Sequence, residues 1–209
     1  MYIPPHFEMK DRAAQYELVR GRPFGLLVTN GPGGLMANPA PFLLDEKAGV
    51  LRAHLARANP QWREADGARE ALVVFQDVDA YVTPGWYATK RESGKVVPTW
   101  NYSAVHVYGA LRAVDDRDWL RTLVGDLTDA HETPRTSPWK VEDAPSDYID
   151  VMLRGIVGIE VQIARIEGKA KLSQNRSALD IAGVVEGLRA DGGEVDLRMA
   201  TQIEGATKP

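Results

Sequence analysis

Short apolar segments broken by glycine- and proline-rich turns fill the first half of the chain. Phe24–Asn30, Leu35–Leu44 and Val50–Ala56 each read as a strand, and Asn30-Gly31-Pro32-Gly33-Gly34 reads as the hairpin turn between the first two. Ala71–Val78 continues the pattern through the run Val73-Val74-Phe75. Ser103–Val114 alternates loosely, and Ile156–Ile166 more cleanly, with apolar positions set apart by Glu160, Gln162 and Arg165. Helical spacing is rarer. Trp119, Leu120, Leu123, Val124 and Leu127 share a face between an Asp115-Asp116 start and Thr133-Pro134. A second helix is predicted from Ser146 through Leu153 with Gly155 as its stop. A third carries Ile181, Val184, Val185 and Leu188 up to Gly192-Gly193. Asp11–Val19 fits an N-terminal helix. Closely spaced strands with tight turns predict a barrel or sandwich, mainly β with peripheral helices. With no repeat or low-complexity linker, one domain over 1–200 with a C-terminal helix is expected, followed by a flexible tail over 201–209.

Composition narrows the class. The 209 residues suffice for a well-buried core, and no apolar run approaches the ~20 residues that cross a bilayer. The absence of cysteine excludes disulfides, thiolate metal sites and thiol nucleophiles. No charged start followed by an apolar stretch suggests a signal peptide, and a cytoplasmic location is expected. The net charge of −4 gives no general attraction to nucleic acid. The four histidines lack the spacing of a helical metal site, and no GxSxG elbow, phosphate loop or dinucleotide fingerprint is present.

The distribution of charge says more than its sum. Segments 52–64, 81–109 and 168–177 hold nine Lys/Arg and two Asp/Glu, whereas the other 157 residues hold sixteen basic and twenty-seven acidic. Residues 81–109 also carry two Trp and four Tyr. Positive charge gathered beside aromatic residues suits an aromatic anion; three unrelated solvated loops are the plainer alternative. In 53–62, AHLARANPQW, Asn59-Pro60 starts a short helix, and Arg57 and Arg63 flank its N-terminus, an arrangement suited to a phosphate. In 168–177, GKAKLSQNRS, Lys169, Lys171 and Arg176 supply charge, while Ser173, Gln174 and Asn175 supply neutral donors and acceptors. This segment also reads as a polar loop capping the next helix through Ser177.

These motifs, together with MYIPPHF at 1–7 and YVTPGWYATKRESGKVVPTWNYSAVHVYG at 81–109, resemble the PaiB-like family, FMN-binding proteins described as negative transcriptional regulators. The resemblance runs from Met1 to about Val185. It is looser at Gly85, Ala88 and Ser93, where Ser, Pro and His are expected in many relatives. The resemblance implies a split β-barrel of the FMN-binding, pyridoxamine-phosphate-oxidase-like type, a homodimer with FMN at the subunit interface. By motif position it implies Arg57, Asn59 and Gln61 at the phosphate with Lys171 as a second cation. Thr99, Trp100, Asn101, Tyr102, Gln174 and Asn175 would then meet the isoalloxazine. Three roles follow: a flavin-dependent regulatory protein, a small flavin oxidoreductase using NAD(P)H or another reductant, or a repressor contacting DNA directly. DNA or a regulatory protein is the implied partner in the first and last.

Overall fold

The computed structural model describes residues 1–207, with the backbone alone for residues 66–68. The chain runs α1 (Arg12–Gly21), β1 (Phe24–Gly31), β2 (Gly34–Pro41), β3 (Leu43–Asp45), β4 (Val50–Ala56) and β5 (Asp66–Val82). It continues through α2 (Thr89–Ser93), β6 (Thr99–Val114), α3 (Arg117–Glu132), α4 (Ser146–Arg154), β7 (Ile156–Lys171), α5 (Ala178–Asp191) and α6 (Glu194–Ala206). The strands form one seven-stranded sheet in the order β2-β1-β5-β6-β7-β4-β3. The fold is mainly β with peripheral helices, as the pattern predicts.

Two compact units divide the chain. One comprises residues 1–18, 76–105 and from 167 onward; the other comprises 19–75 and 106–166. In the second unit, β1 and β2 form the expected hairpin, closed by the Gly31↔Gly34 pair, where Gly34 takes a left-handed φ of 95°. Antiparallel β4–β7 pairing aligns Leu51 with Val161 and Ala53 with Ile159, all fully buried. Asp116 caps α3, its carboxylate accepting from Trp119 N–H at 2.7 Å, and Leu120 packs with Ile149 and Leu153 of α4.

In the first unit, α5 and α6 bury Val184, Leu188, Met199 and Ile203 against Val82, Tyr87 and Leu172. Ser177 caps α5 as read from the sequence, accepting from Asp180 N–H at 3.2 Å. Trp86 seats its indole on α5 where a Cβ at Gly187 would lie 2.3 Å from the ring, so only glycine admits that approach.

The structure departs from the sequence pattern at several places. Residues 201–206, expected as tail, belong to α6, because Met199, Ala200 and Ile203 make one buried face; residues 208–209 lie outside the described part. Strand β6 begins at Thr99 instead of Ser103. Strand β7 runs on past Ile166 to Lys171. Both extensions carry polar side chains that hydrophobic alternation does not register, yet backbone pairing needs no apolar side chain.

Candidate functional site

The start of β6 and the end of β7 bring the two richest motifs together in one unit. Alternation along β6 exposes Trp100 and half-exposes Tyr102, while Asn101 between them is buried at 1% exposure. Trp100 meets Tyr81 edge-on, with centroids 5.8 Å apart. Lys171 donates to Thr99 Oγ1 and, at 2.8 Å, to the Trp100 carbonyl. Two residues back on the same face of β7, Lys169 is buried at 8% exposure, its ammonium 5.0 Å from the Tyr102 ring centroid and 5.8 Å from that of Tyr2.

The loop after β7 is held in a specific shape. Ser173 adopts φ 65°, uncommon for a side chain with a Cβ, and its hydroxyl accepts from Asn101 Nδ2 at 2.9 Å. Gln174 braces the loop from within, accepting from Leu172 N–H and donating to the Ala170 carbonyl, both at 2.7 Å. Asn175 is exposed. Arg176 lies with its guanidinium carbon 4.7 Å from the Tyr87 ring centroid. Segment 83–93 below it is pinned to α5: Asp180 accepts from Thr89 N–H at 3.0 Å and from its hydroxyl at 2.7 Å. Burial alone would raise the Asp180 carboxyl, but the Thr89 and Ser177 bonds and the nearby Arg176 charge hold it below the usual carboxylate value.

The electrostatics of this cluster are unbalanced. Among the described residues, none of Lys169, Lys171 and Arg176 forms a salt bridge with a carboxylate. Burial, then the fields of Lys169 and Arg176, lower the Lys171 pKa. The buried Asn101 Oδ1 has no hydrogen-bond partner among the described residues. Three cations and an unpaired acceptor, beside exposed Trp100 and half-exposed Tyr102, offer donors, charge and flat apolar faces at one place.

Arg57, Asn59 and Gln61 belong to the other unit, and their side chains are engaged there. Arg57 forms a two-pronged pair with Asp115 at 2.6 and 2.8 Å and donates to the carbonyls of Arg154 and Ile156 at 2.8 and 2.9 Å. That bonding raises its own pKa and depresses that of Asp115. Asn59 caps a single 3-10 turn, Pro60–Glu64, by accepting from Gln61 N–H at 2.9 Å. Gln61 is fully buried. It accepts from Asn38 at 2.9 Å and donates to the Leu27 carbonyl, Thr29 Oγ1 and the Met36 carbonyl at 3.1–3.3 Å. Its amide cross-links β1, β2 and the turn. Lys169, Arg176, Tyr87 and Tyr2 are absent from the residues assigned by motif position. The charge of segment 168–177 had already marked Lys169 and Arg176; that Lys169 and Lys171 share one face is legible only if the segment is taken as strand.

Comparison with known proteins gives a consistent result. The family described as "Putative FMN-binding domain" matches residues 1–165. The chain is 32% identical over 210 residues to Protease synthase and sporulation protein PAI 2 of Bacillus subtilis, covering 100% of this chain and 99% of that protein. It is 35% identical over 237 residues to a protein of Aspergillus fumigatus whose name assigns no activity, covering 90% of each. Among solved structures, the flavocytochrome Anf3 from Azotobacter vinelandii superposes with a TM-score of 0.58 at 12% identity, over 81% of this chain and 72% of that one. The chain therefore belongs to the PaiB-like family of FMN-binding proteins and has a split β-barrel fold.

Proposed function

We propose that this protein is a flavin-dependent regulatory protein that binds FMN, as a homodimer, against the Thr99–Tyr102 and Lys169–Arg176 segments. The observation that carries the reading is the cation cluster without carboxylate partners, set beside exposed Trp100 and half-exposed Tyr102. The donor set fits the group: a flavin needs a flat apolar face, amide and hydroxyl partners for its polar edge, and positive charge for its phosphate. Trp100 and Tyr102 supply faces, Asn101 and Asn175 supply amides, Thr99 a hydroxyl and Lys171 a charge. Gln174 contributes by holding the loop. Bound FMN supplies hydride and single-electron chemistry; the protein supplies position and field.

The name of the Bacillus relative, which concerns protease synthesis and sporulation, supports a regulatory role. Direct contact with DNA finds no support in the paired helices α5 and α6. Residues 178–206 hold six acidic side chains and two arginines, a balance that repels phosphates. The regulatory output is therefore assigned to a protein partner that reads the flavin-bound state.

Titration of the purified protein with FMN, followed by flavin fluorescence, tests the reading. A saturable change is expected; a colourless protein that leaves FMN fluorescence unaltered would sink it. Steady oxidation of NADH or NADPH with FMN present would move the assignment from regulator to oxidoreductase.

A further inference from the structure

The two helices after the Ser173–Arg176 loop carry the opposite charge from it, and they leave a groove where they pack. This groove measures about 510 Å³ and is open to solvent. Ile181, Ala182 and Val185 of α5 line it with apolar surface, and Glu186, Arg189 and Glu204 add charge. Its positive charge is already answered. Arg189 donates to Glu204 at 2.9 Å, and Arg198, further along α6, pairs with Asp77 of β5 at 2.9 Å. Among the described residues, Glu186, Asp191, Glu194 and Asp196 have no cation partner. A trough between packed helices takes the apolar side chains of a third helix, and unanswered carboxylates beside it favour lysine or arginine on that helix. An acidic segment would meet like charge here.

We infer that the α5–α6 groove is the docking site for a basic amphipathic helix of the protein partner, with leucine-like side chains in the trough and lysine or arginine against Glu186. This rests on the reading of the protein as a regulator that acts through a partner. The place suits that role. Ser177 caps α5 directly after the Ser173–Arg176 loop. The first turns of α5 then carry both Asp180, which accepts from Thr89 and feels the Arg176 charge, and the groove residues Ile181 and Ala182. One helix thus joins the loop beside the flavin to the surface that a partner touches.

The probe is a dye-labelled helical peptide of about four turns, with Leu at i, i+3, i+4 and i+7 and Lys elsewhere. Fluorescence anisotropy follows its binding to wild type, Ala182→Phe, Glu186→Lys and Glu17→Lys; FMN is titrated separately, and circular dichroism checks folding. Wild type is expected to bind this peptide saturably, and a Leu/Glu peptide of the same pattern at least about 10-fold more weakly. Ala182→Phe fills the trough and Glu186→Lys reverses its charge, so each should weaken the Leu/Lys peptide by about 10-fold or more. Glu17→Lys makes the same change in net charge on exposed α1, outside the groove, and should cost less than about 2-fold. If the protein binds FMN but not the peptide, or if Glu17→Lys costs as much as Glu186→Lys, the docking site is overturned while the FMN reading stands. If the peptide binds as expected and FMN does not, the groove stands and the flavin reading falls. If Ala182→Phe splits an assembly of wild-type chains in sedimentation, the groove belongs to a second copy and the partner assignment falls.

Discussion

Arg57 and Lys171 look alike in sequence, each a cation inside a family motif, yet the folded chain treats them differently. Arg57 meets a carboxylate and backbone carbonyls in the unit formed by residues 19–75 and 106–166. Lys171 meets neutral oxygens and two further cations in the other unit. The first site is closed by its own protein; the second keeps charge to spare. Local density of Lys and Arg therefore says where anions could bind, and only the counter-charges say where one is still wanted.

The sharpest way to break the comparison is at Gln61, which shares the Arg57 motif. Replacing Gln61 by Ala removes the bonds to Leu27, Thr29, Met36 and Asn38 and opens a cavity in a fully buried position. A loss of about 3 kcal/mol in urea denaturation is expected, with FMN affinity of the folded fraction unchanged. Retained stability combined with lost FMN binding would return this motif to the cofactor. On the other side, Gly187→Ala forces a Cβ to within 2.3 Å of the Trp86 indole. A destabilisation of about 1–3 kcal/mol is expected from overpacking, with weaker FMN binding because segment 83–93 carries Tyr87 under Arg176. Unchanged stability would show that Trp86 moves freely and that this scaffold does not position the cluster.

Much of the fold was legible because burial and periodicity agree. The β1–β2 hairpin, the capped α3 and the apolar faces of α4 and α5 repeat the spacing of Leu120, Ile149 and Val184 in the chain. What escaped is the polar continuation of strands. Asn101, Lys169 and Lys171 lie on strands, where an apolar pattern would not place them, so the cluster read as loops. Helix α2 escaped because Thr89–Ser93 is too short for a period, and is held by Asp180 from a distant helix. The segment composition of the site was legible; the ion pair that occupies Arg57 was not, because Asp115 is 58 residues away.

The pH dependence of binding sharpens the Lys171 side with a smaller effect. Lys171 must be charged to hold a phosphate. Burial and the fields of Lys169 on the same strand and Arg176 on the following loop bring its pKa below the ordinary 10.5, while Thr99 and the Trp100 carbonyl face it with neutral oxygens. Because the folded pKa is lowered, FMN affinity is full below that lowered value and falls as pH rises through it. The phosphate is already dianionic above about pH 6 to 7. A several-fold loss for FMN, absent for riboflavin, is expected at alkaline pH below 10.5. A flat profile for FMN over that range would show that Lys171 does not hold the phosphate.

The smallest expected effect is the most direct challenge. Asp115→Asn removes the charge that occupies Arg57, while Arg57 keeps its bonds to the carbonyls of Arg154 and Ile156 and so keeps its position. The pair is exposed to solvent, where such bridges contribute little, so the urea midpoint should barely move. If the phosphate belongs at the end of β7, the freed guanidinium has no flavin to meet, and FMN affinity and the FMN-to-riboflavin ratio stay at their wild-type values. If Arg57 takes part in binding, relieving it of Asp115 should tighten FMN and leave riboflavin alone. A gain of that kind would mean that Asp115 restrains an anion site instead of completing a structural contact, and the distinction between the closed and the open cation would collapse.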